Sequence, residues 1–424
     1  MKVYLDTVGC RLNQSEIETY ARQFRAAGHT LVPSPDQADL VVLNTCAVTV
    51  AAESDSRQKI RQASRSRAGE IVATGCWVTL SPQEAASLPG VSRIIPNASK
   101  DELVPQILGI SAEAFDWELM QREPIPGARS RTRAFIKVQD GCDNRCAFCV
   151  TTIVRGSGVS RPIPQVMAEL HALEKSGVKE IVLTGVHLGS WGQDISPHHR
   201  LYDLVEAILA ETDFPRVRLS SLEPWDLEES FFRLWEYPRL CCYLHLPLQS
   251  GCAATLRRMR RRTSPTAFAA LVAAARASIP RVAITTDVIV GFPGEDEAEF
   301  AESCAFVKEM QFSGGHVFTY SARPGTSAAR MPGQVAHALR KERNTEMRHI
   351  LEDSARAYRN LFLGVELPVL WESSNHNPAG FWQVDGLTSN YLRVKAHSPL
   401  PLSNTITRVR LDSLSSDGLF GVIT

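Results

Sequence analysis

The sequence predicts an α/β protein in three parts: an N-terminal domain with an open, mostly parallel sheet, a central partial (β/α)6 barrel, and a small C-terminal β-barrel. Three observations predict it. Short apolar runs alternate with amphipathic helical stretches from Lys2 to about Gly109, and the same alternation resumes near residue 134 with six strand-like runs. Roughly the last sixty residues hold only short β-like runs separated by turn residues. With 424 residues, the chain is too long for one ordinary domain.

The first domain is expected over 1–112. Its strands read VYLDT near Val3, ADLVVLNT from Ala38, IVATG from Ile71 and SRIIP from Ser92, with helices near 14–27, 52–67 and 101–108. Asn13 with Glu16 three residues later reads as a capping box, and Gly28 as the stop of the first helix. Residues 113–133, polar and rich in arginine and proline, read as a linker. The central domain, 134–363, offers strands at FIKVQ (Phe135), EIVLTG (Glu180), RVRLSS (Arg216), YLHLPL (Tyr243), AITTDVIVG (Ala283) and GGHVFTYS (Gly314), then a long helical segment from Val335 to Leu363. In 364–424 the runs ELPVLWE, NYLRVKA, TITRVRL and LFGVI suit a closed small barrel.

Lysine plus arginine (46) balance aspartate plus glutamate (46), so contact with nucleic acid must be local rather than a property of the whole chain. No apolar run is long enough to span a membrane, and the opening MKVYLDTVGC lacks the features of an export signal, so a cytoplasmic location is expected. In such a reducing setting ten cysteines are metal ligands, reactive thiols or small core residues rather than a disulfide framework.

Spacing separates these options. In GCDNRCAFC, Cys142, Cys146 and Cys149 stand as C-x-x-x-C-x-x-C just after the first barrel strand. Zinc is the competing reading, but zinc usually takes four protein ligands in paired spacings, and no matching pair follows at short range. Three thiolates on one loop can instead hold three irons of a four-iron cluster and leave the fourth open. Cys10, Cys46 and Cys76 are dispersed, yet each follows a strand of the first domain, and ligands of open α/β sheets collect at the carboxyl ends of strands. They read either as one convergent site or as three buried thiols. Cys241, Cys242, Cys252 and Cys304 share no spacing and read as core or incidental thiols.

The Cys142–Cys149 spacing at the end of the first barrel strand resembles the radical S-adenosylmethionine (SAM) superfamily. That resemblance implies a 4Fe-4S cluster on these three cysteines, whose open iron chelates the amino and carboxylate groups of SAM, and one-electron cleavage to a 5′-deoxyadenosyl radical. It also implies SAM contacts from Phe148, from Gly185 and Gly189 in TGVHLG, and from Glu223, Gln249 and Tyr320 at later strand ends, the face where barrel sites lie. Phe148 reads equally as a core aromatic, and Glu223 or Gln249 as a structural hydrogen-bonding residue. With the three cysteines of the first domain and the terminal barrel, almost the whole chain is similar to the radical SAM methylthiotransferase family, whose tail is a TRAM-type RNA-binding domain. The resemblance then implies a second 4Fe-4S cluster on Cys10, Cys46 and Cys76, two SAM molecules per reaction, and an electron donor of flavodoxin or ferredoxin type.

GCRLNQSE around Cys10, NTCAVT and SRQKIR after it, VQDGCDN, and GLTSNYLRVKA in the tail resemble the threonylcarbamoyladenosine branch. The implied reaction places a methylthio group on C2 of the modified adenosine next to the anticodon of tRNA. Isopentenyladenosine in tRNA and an aspartate of a ribosomal protein are the substrates of the neighbouring branches. A non-enzymatic iron-sulfur protein that binds RNA or senses redox state is the reading from another class. The sequence departs from the family at Thr151–Thr152, where an apolar-proline pair is common, at Thr319, where a proline is familiar, and in a shorter loop before Cys76.

For RNA, Arg57, Arg61 and Arg65 recur every four residues and share one helical face. They read as phosphate contacts or as a solvated charge run. Arg129, Arg131 and Arg133, and Arg257 through Arg262, are further basic groups. In the tail Arg393 and Tyr391 are candidates, with stacking from Phe381, Trp382 or Tyr391. Arg155 and Arg161 flank the cluster loop and read as SAM or phosphate ligands, or as partners of carboxylates.

Overall fold

The computed structural model describes residues 1–66, 69–111, 115, 123, 125–126, 132–196 and 198–424. The linker expected at 113–133 falls largely outside the described residues, and Arg129 and Arg131 fall wholly outside them.

In the first domain β1 (Lys2–Thr7), β2 (Thr30–Leu31), β3 (Leu40–Thr45), β4 (Glu70–Gly75) and β5 (Val91–Ile95) form a parallel sheet in the order β2-β1-β3-β4-β5. The strand LVVLNT is buried at every position because helices cover both faces of the sheet. α1 (Arg11–Ala26) packs Ile17, Tyr20, Ala21 and Phe24 on one side. α2 (Val50–Arg65) and α3 (Cys76–Leu80) pack Ile60, Ala63, Trp77 and Val78 on the other. Two short helices, α4 (Pro82–Ala86) and α5 (Leu103–Leu108), complete the domain.

The capping box expected at Asn13 and Glu16 is overturned. Cys10 occupies the cap position, so Asn13 and Glu16 lie inside α1, both buried. Asn13 donates to the carbonyls of Val8 and Thr45, and Glu16 faces Lys100 and Arg155. Neither side chain is free to cap.

The central strands β6 (Arg133–Lys137), β9 (Glu180–Thr184), β10 (Arg216–Leu219), β11 (Tyr243–His245), β12 (Ala283–Val290) and β13 (Gly314–Thr319) run parallel as two three-stranded sheets. Bridges from Val217 to Leu240 and from Ser221 to His245 join them into one six-stranded partial barrel. A two-residue hairpin, β7 (Gln139–Asp140) with β8 (Val159–Ser160), brackets the cysteine loop, and α6 (Thr151–Arg155) leaves that loop. The tail closes as a barrel in the order β14-β15-β16-β18-β17, with β14 (Glu366–Asn377), β15 (Phe381–Thr388), β16 (Arg393–Ser398), β17 (Ile406–Leu414) and β18 (Leu419–Ile423). Among the described residues no helix is long and apolar enough to cross a membrane.

Buried charge fixes the domains to one another. Arg22 of α1 and Arg161 of the central domain grip Glu169, whose side chain is 2% exposed. Burial alone would raise the pKa of this carboxyl, but the two guanidiniums outweigh it and hold it at about 2. Glu169→Ala removes the buried carboxylate that the Arg22 and Arg161 guanidiniums share, so a loss of about 3–5 kcal/mol is expected in denaturant unfolding at pH 7. Because the folded pKa lies below the unfolded one, the contribution is complete above the unfolded value and disappears as pH falls through about 2. The stability gap between the native chain and the variant should therefore close over that acid range.

Candidate active site

Strand register brings the first three cysteines together. Thr7 of β1 pairs with Asn44 of β3, and Thr45 of β3 with Gly75 of β4, so Cys10, Cys46 and Cys76 emerge from three neighbouring strands at one edge. Cys10 and Cys46 flank the point where strand order reverses, the crevice in which open α/β sheets hold ligands. Gly9, at φ +111°, lets the chain turn there: a Cβ on it would lie 2.7 Å from Cβ and 2.8 Å from Sγ of Cys46. Burial, helped by the nearby Cys10 and Cys76, pushes the Cys46 thiol up to about 11. Two donors converge on the Cys76 sulfur, and Cys10 has a polar partner of its own. Arg155 Nε lies 3.3 Å and Asn97 Nδ2 3.5 Å from Cys76 Sγ, while Asn13 Oδ1 accepts from Cys10 Sγ at 3.6 Å.

The central triad lies on the loop between β7 and α6. Gly141, at φ +68°, permits the approach to Ser157, whose carbonyl oxygen would lie 1.9 Å from a Cβ there. Ala147 anchors the loop, donating to Met259 O and accepting from Ala328 N, both at 2.9 Å. Cys142, Cys146 and Cys149 line one cavity of about 570 Å³ with Asn144, Thr326 and Ser327. Backbone N–H groups of Asn144 and Thr151 point at Cys142 and Cys149 Sγ, each at 3.4 Å, and Arg261 Nη1 at Cys146 Sγ, at 3.8 Å. Such donors suit thiolates. Burial pushes free Cys146 up to about 11, so a metal centre has to displace its proton on binding. Among the described residues no group of three His, Cys, Asp or Glu side chains is spaced for a single metal ion. Three thiolates on three different irons of a cluster need not converge so closely, and both triads fit that donor set.

The other sequence-derived candidates have defined partners. Glu223 is held by both guanidinium nitrogens of Arg261, at 3.0 and 2.6 Å. Gln249, at φ +72°, bonds through its backbone to Asp287 and Ile289 on β12. Tyr320 is buried edge-on to Phe292 beneath the cysteine loop, with no partner for its hydroxyl among the described residues, and Phe148 lies edge-on to the same ring. Gly189 gives room to the Asp226 carboxylate and Gly185 to the Gln139 side chain. Arg155 and Arg161 both bind carboxylates.

Among the arginines of α2, Arg57 is paired with Glu84 and lies over Trp77, while Arg61 and Arg65 are exposed. Tyr391, at φ +65°, stacks on Tyr243 at 4.5 Å and accepts from Arg11 Nη2 at 2.9 Å, so its ring is packed where the three domains meet. Arg393 is exposed and pairs with Asp417. Phe381 and Trp382 are half-buried and flanked by His397 and His376.

His187 escaped the reading of the sequence, which took TGVHLG for its glycines alone. Its Nε2 lies 2.6 Å from Asp226, and its Nδ1 3.3 Å from Asn144 of the cysteine loop. Burial alone would lower its pKa, but Asp226 and Cys142 outweigh it and raise it to about 10. The histidine between two glycines at a strand end was the available signal.

The turn at Gly9 makes a direct claim. Gly9→Ala should force Cys46 from its buried position, 4% exposed, so alkylation of Cys46 in the metal-free protein is expected to quicken several-fold, as followed by peptide mass spectrometry. An unchanged rate would contradict the packing described.

Comparison with known proteins agrees with this architecture. Residues 2–95 match the uncharacterized protein family UPF0004, and residues 136–307 match the radical SAM superfamily. The chain is 33% identical over 421 residues to the threonylcarbamoyladenosine tRNA methylthiotransferase MtaB of Bacillus subtilis, covering 96% of this chain and 93% of that one. It is 34% identical to the protein of that name from Thermotoga maritima, covering 98% and 96%. Among solved structures, the radical SAM methyltransferase TsrM of Kitasatospora setae superposes with a TM-score of 0.56 at 15% identity, covering 77% of this chain and 76% of that one, a likeness of fold alone. With its two sheet domains, its two cysteine triads and relatives matched over nearly their whole length, the chain belongs to the radical SAM tRNA methylthiotransferases, in the MtaB branch.

Proposed function

We propose that this chain inserts a methylthio group at C2 of N6-threonylcarbamoyladenosine next to the anticodon of tRNA, using two 4Fe-4S clusters and SAM. Cys142, Cys146 and Cys149 would hold the cluster that binds SAM, and Cys10, Cys46 and Cys76 an auxiliary one. The observation that carries this reading is the convergence of the three dispersed cysteines beside α6, which starts two residues after Cys149. When bound, these groups supply the radical that attacks an inert C–H bond and the sulfur that replaces the hydrogen.

The protein's own residues have the remaining tasks. Asn144, Thr151 and Arg261 donate to the thiolates of the central loop. His187 ties Asp226 to Asn144 of that loop. Arg145, Arg260 and Arg330 line the same cavity without side-chain partners among the described residues, a cationic rim for the anticodon backbone. Arg61 and Arg65, exposed on α2, offer further phosphate contacts, and Phe381, Trp382 and Arg393 give the tail stacking and phosphate contacts. The proposed domain limits are 1–112, 134–363 and 364–424, the working compartment is the cytoplasm, and a flavodoxin- or ferredoxin-type protein provides the electron.

Nucleoside mass spectrometry of tRNA from cells lacking the chain should show 2-methylthio-N6-threonylcarbamoyladenosine gone and its unmethylthiolated precursor accumulated. Unchanged levels, with a methylthio group missing from a ribosomal protein instead, would overturn the substrate assignment. In anaerobic assays with reductant and tRNA, Cys146→Ala is expected to abolish 5′-deoxyadenosine formation. Cys46→Ala should retain that cleavage and lose methylthiolation.

A further inference from the structure

We propose that Arg155 is a positioning residue that raises the reduction potential of a cluster held by Cys10, Cys46 and Cys76, through a charge-assisted hydrogen bond to the Cys76 thiolate. This rests on the two-cluster reading above.

Arg155 ends α6, six residues beyond Cys149, and reaches across the domain boundary with a side chain only 2% exposed. Its Nε donates to Cys76 Sγ at 3.3 Å, its Nη1 to Glu16 at 3.0 Å and Asp140 at 2.9 Å, and its Nη2 to Asn13 at 2.7 Å. A guanidinium with bonds on all three nitrogens has one orientation. In the metal-free chain Asn13 also accepts from the Cys10 thiol, a bond that ends when that sulfur loses its proton to bind metal, so the Arg155 contact that persists in a cluster is the one to Cys76.

The buried charges around it are unequal. Glu16 of α1 and Asp140 of β7 face Arg155, Lys100 and Lys137, while Asp101, the further partner of Lys137, is 74% exposed. Two buried carboxylates against three cations leave room for negative charge at Cys76, and the guanidinium is the cation bonded to that sulfur. Adding an electron to a cluster there increases the negative charge. A fixed positive donor on a ligand sulfur favours the reduced state, and hydrogen bonds to sulfur together with net charge are what set such potentials. The central triad differs: Arg261 reaches Cys146 Sγ only at 3.8 Å and is bound chiefly by Glu223.

Other contacts hold α6 in place, so replacing Arg155 need not part the domains. Val150 and Val154 pack with Cys76, Trp77 and Val78, and Asn97 Nδ2 donates to the Val154 carbonyl at 2.8 Å. The electrostatic effect can thus be read apart from a structural one.

The test uses the full chain carrying Cys142→Ala, Cys146→Ala and Cys149→Ala, reconstituted anaerobically, with iron analysis and a spectroscopic redox titration. Arg155→Gln should shift the midpoint potential to a more negative value, Arg155→Lys should restore most of the shift, and Glu16→Gln, which removes an opposing charge, should move it the other way. An Arg155→Gln protein with full iron and an unaltered potential overturns the proposal. If that variant fails to load, Glu16→Gln decides, and no upward shift there is equally fatal. Absence of any cluster in the triple-alanine parent would instead bring down the two-cluster reading itself.

Discussion

Burying charge at a domain boundary is tolerable only when every charge finds a partner, and that constraint shapes this molecule. Glu16, Asp140, Lys100 and Arg155 come from both domains and are nearly closed to water. Each alone in that interface would cost several kcal/mol. Together they leave one relative placement of the two domains in which all are satisfied. The Arg22–Glu169–Arg161 group repeats the arrangement elsewhere on the same boundary. Two groups of sulfurs that originate in separate sheets thereby acquire a fixed geometry, which a flexible tether between independent domains would not provide.

Each triad is built by a different device. In the first domain the register of three parallel strands aligns cysteines that are 36 and 30 positions apart in sequence. In the barrel a short loop does the work, pinned at Ala147 to two later loops and resting on Phe292 and Tyr320. Parallel sheets project their carboxyl-end loops to one side, so the same rule serves both.

That rule is why so much of the site was legible in the sequence. The strand runs, the order of elements and the six cysteines could be read because local apolar periodicity and strand-end position are local properties. What could not be read depends on tertiary pairing. Asn13 and Glu16 looked like a helix cap by spacing; their burial against Thr45 and Arg155 is set by residues far along the chain. Tyr391 looked like a stacking surface for a base, and only the fold brings Tyr243, Arg11 and Arg218 around it. His187 needed the position of Asp226, thirty-nine residues on, to stand out.

The docking of the tail barrel has a consequence for how this protein can vary. Arg216 and Arg218 hold it by donating to the main-chain oxygens of Leu387, Pro368, Thr388 and Ser389. Main-chain oxygens exist whatever side chain the residue bears. The outer surface of that barrel can therefore be rewritten, residue by residue, without loosening its seat, so its exposed face is free to vary while the reaction chamber keeps its dimensions.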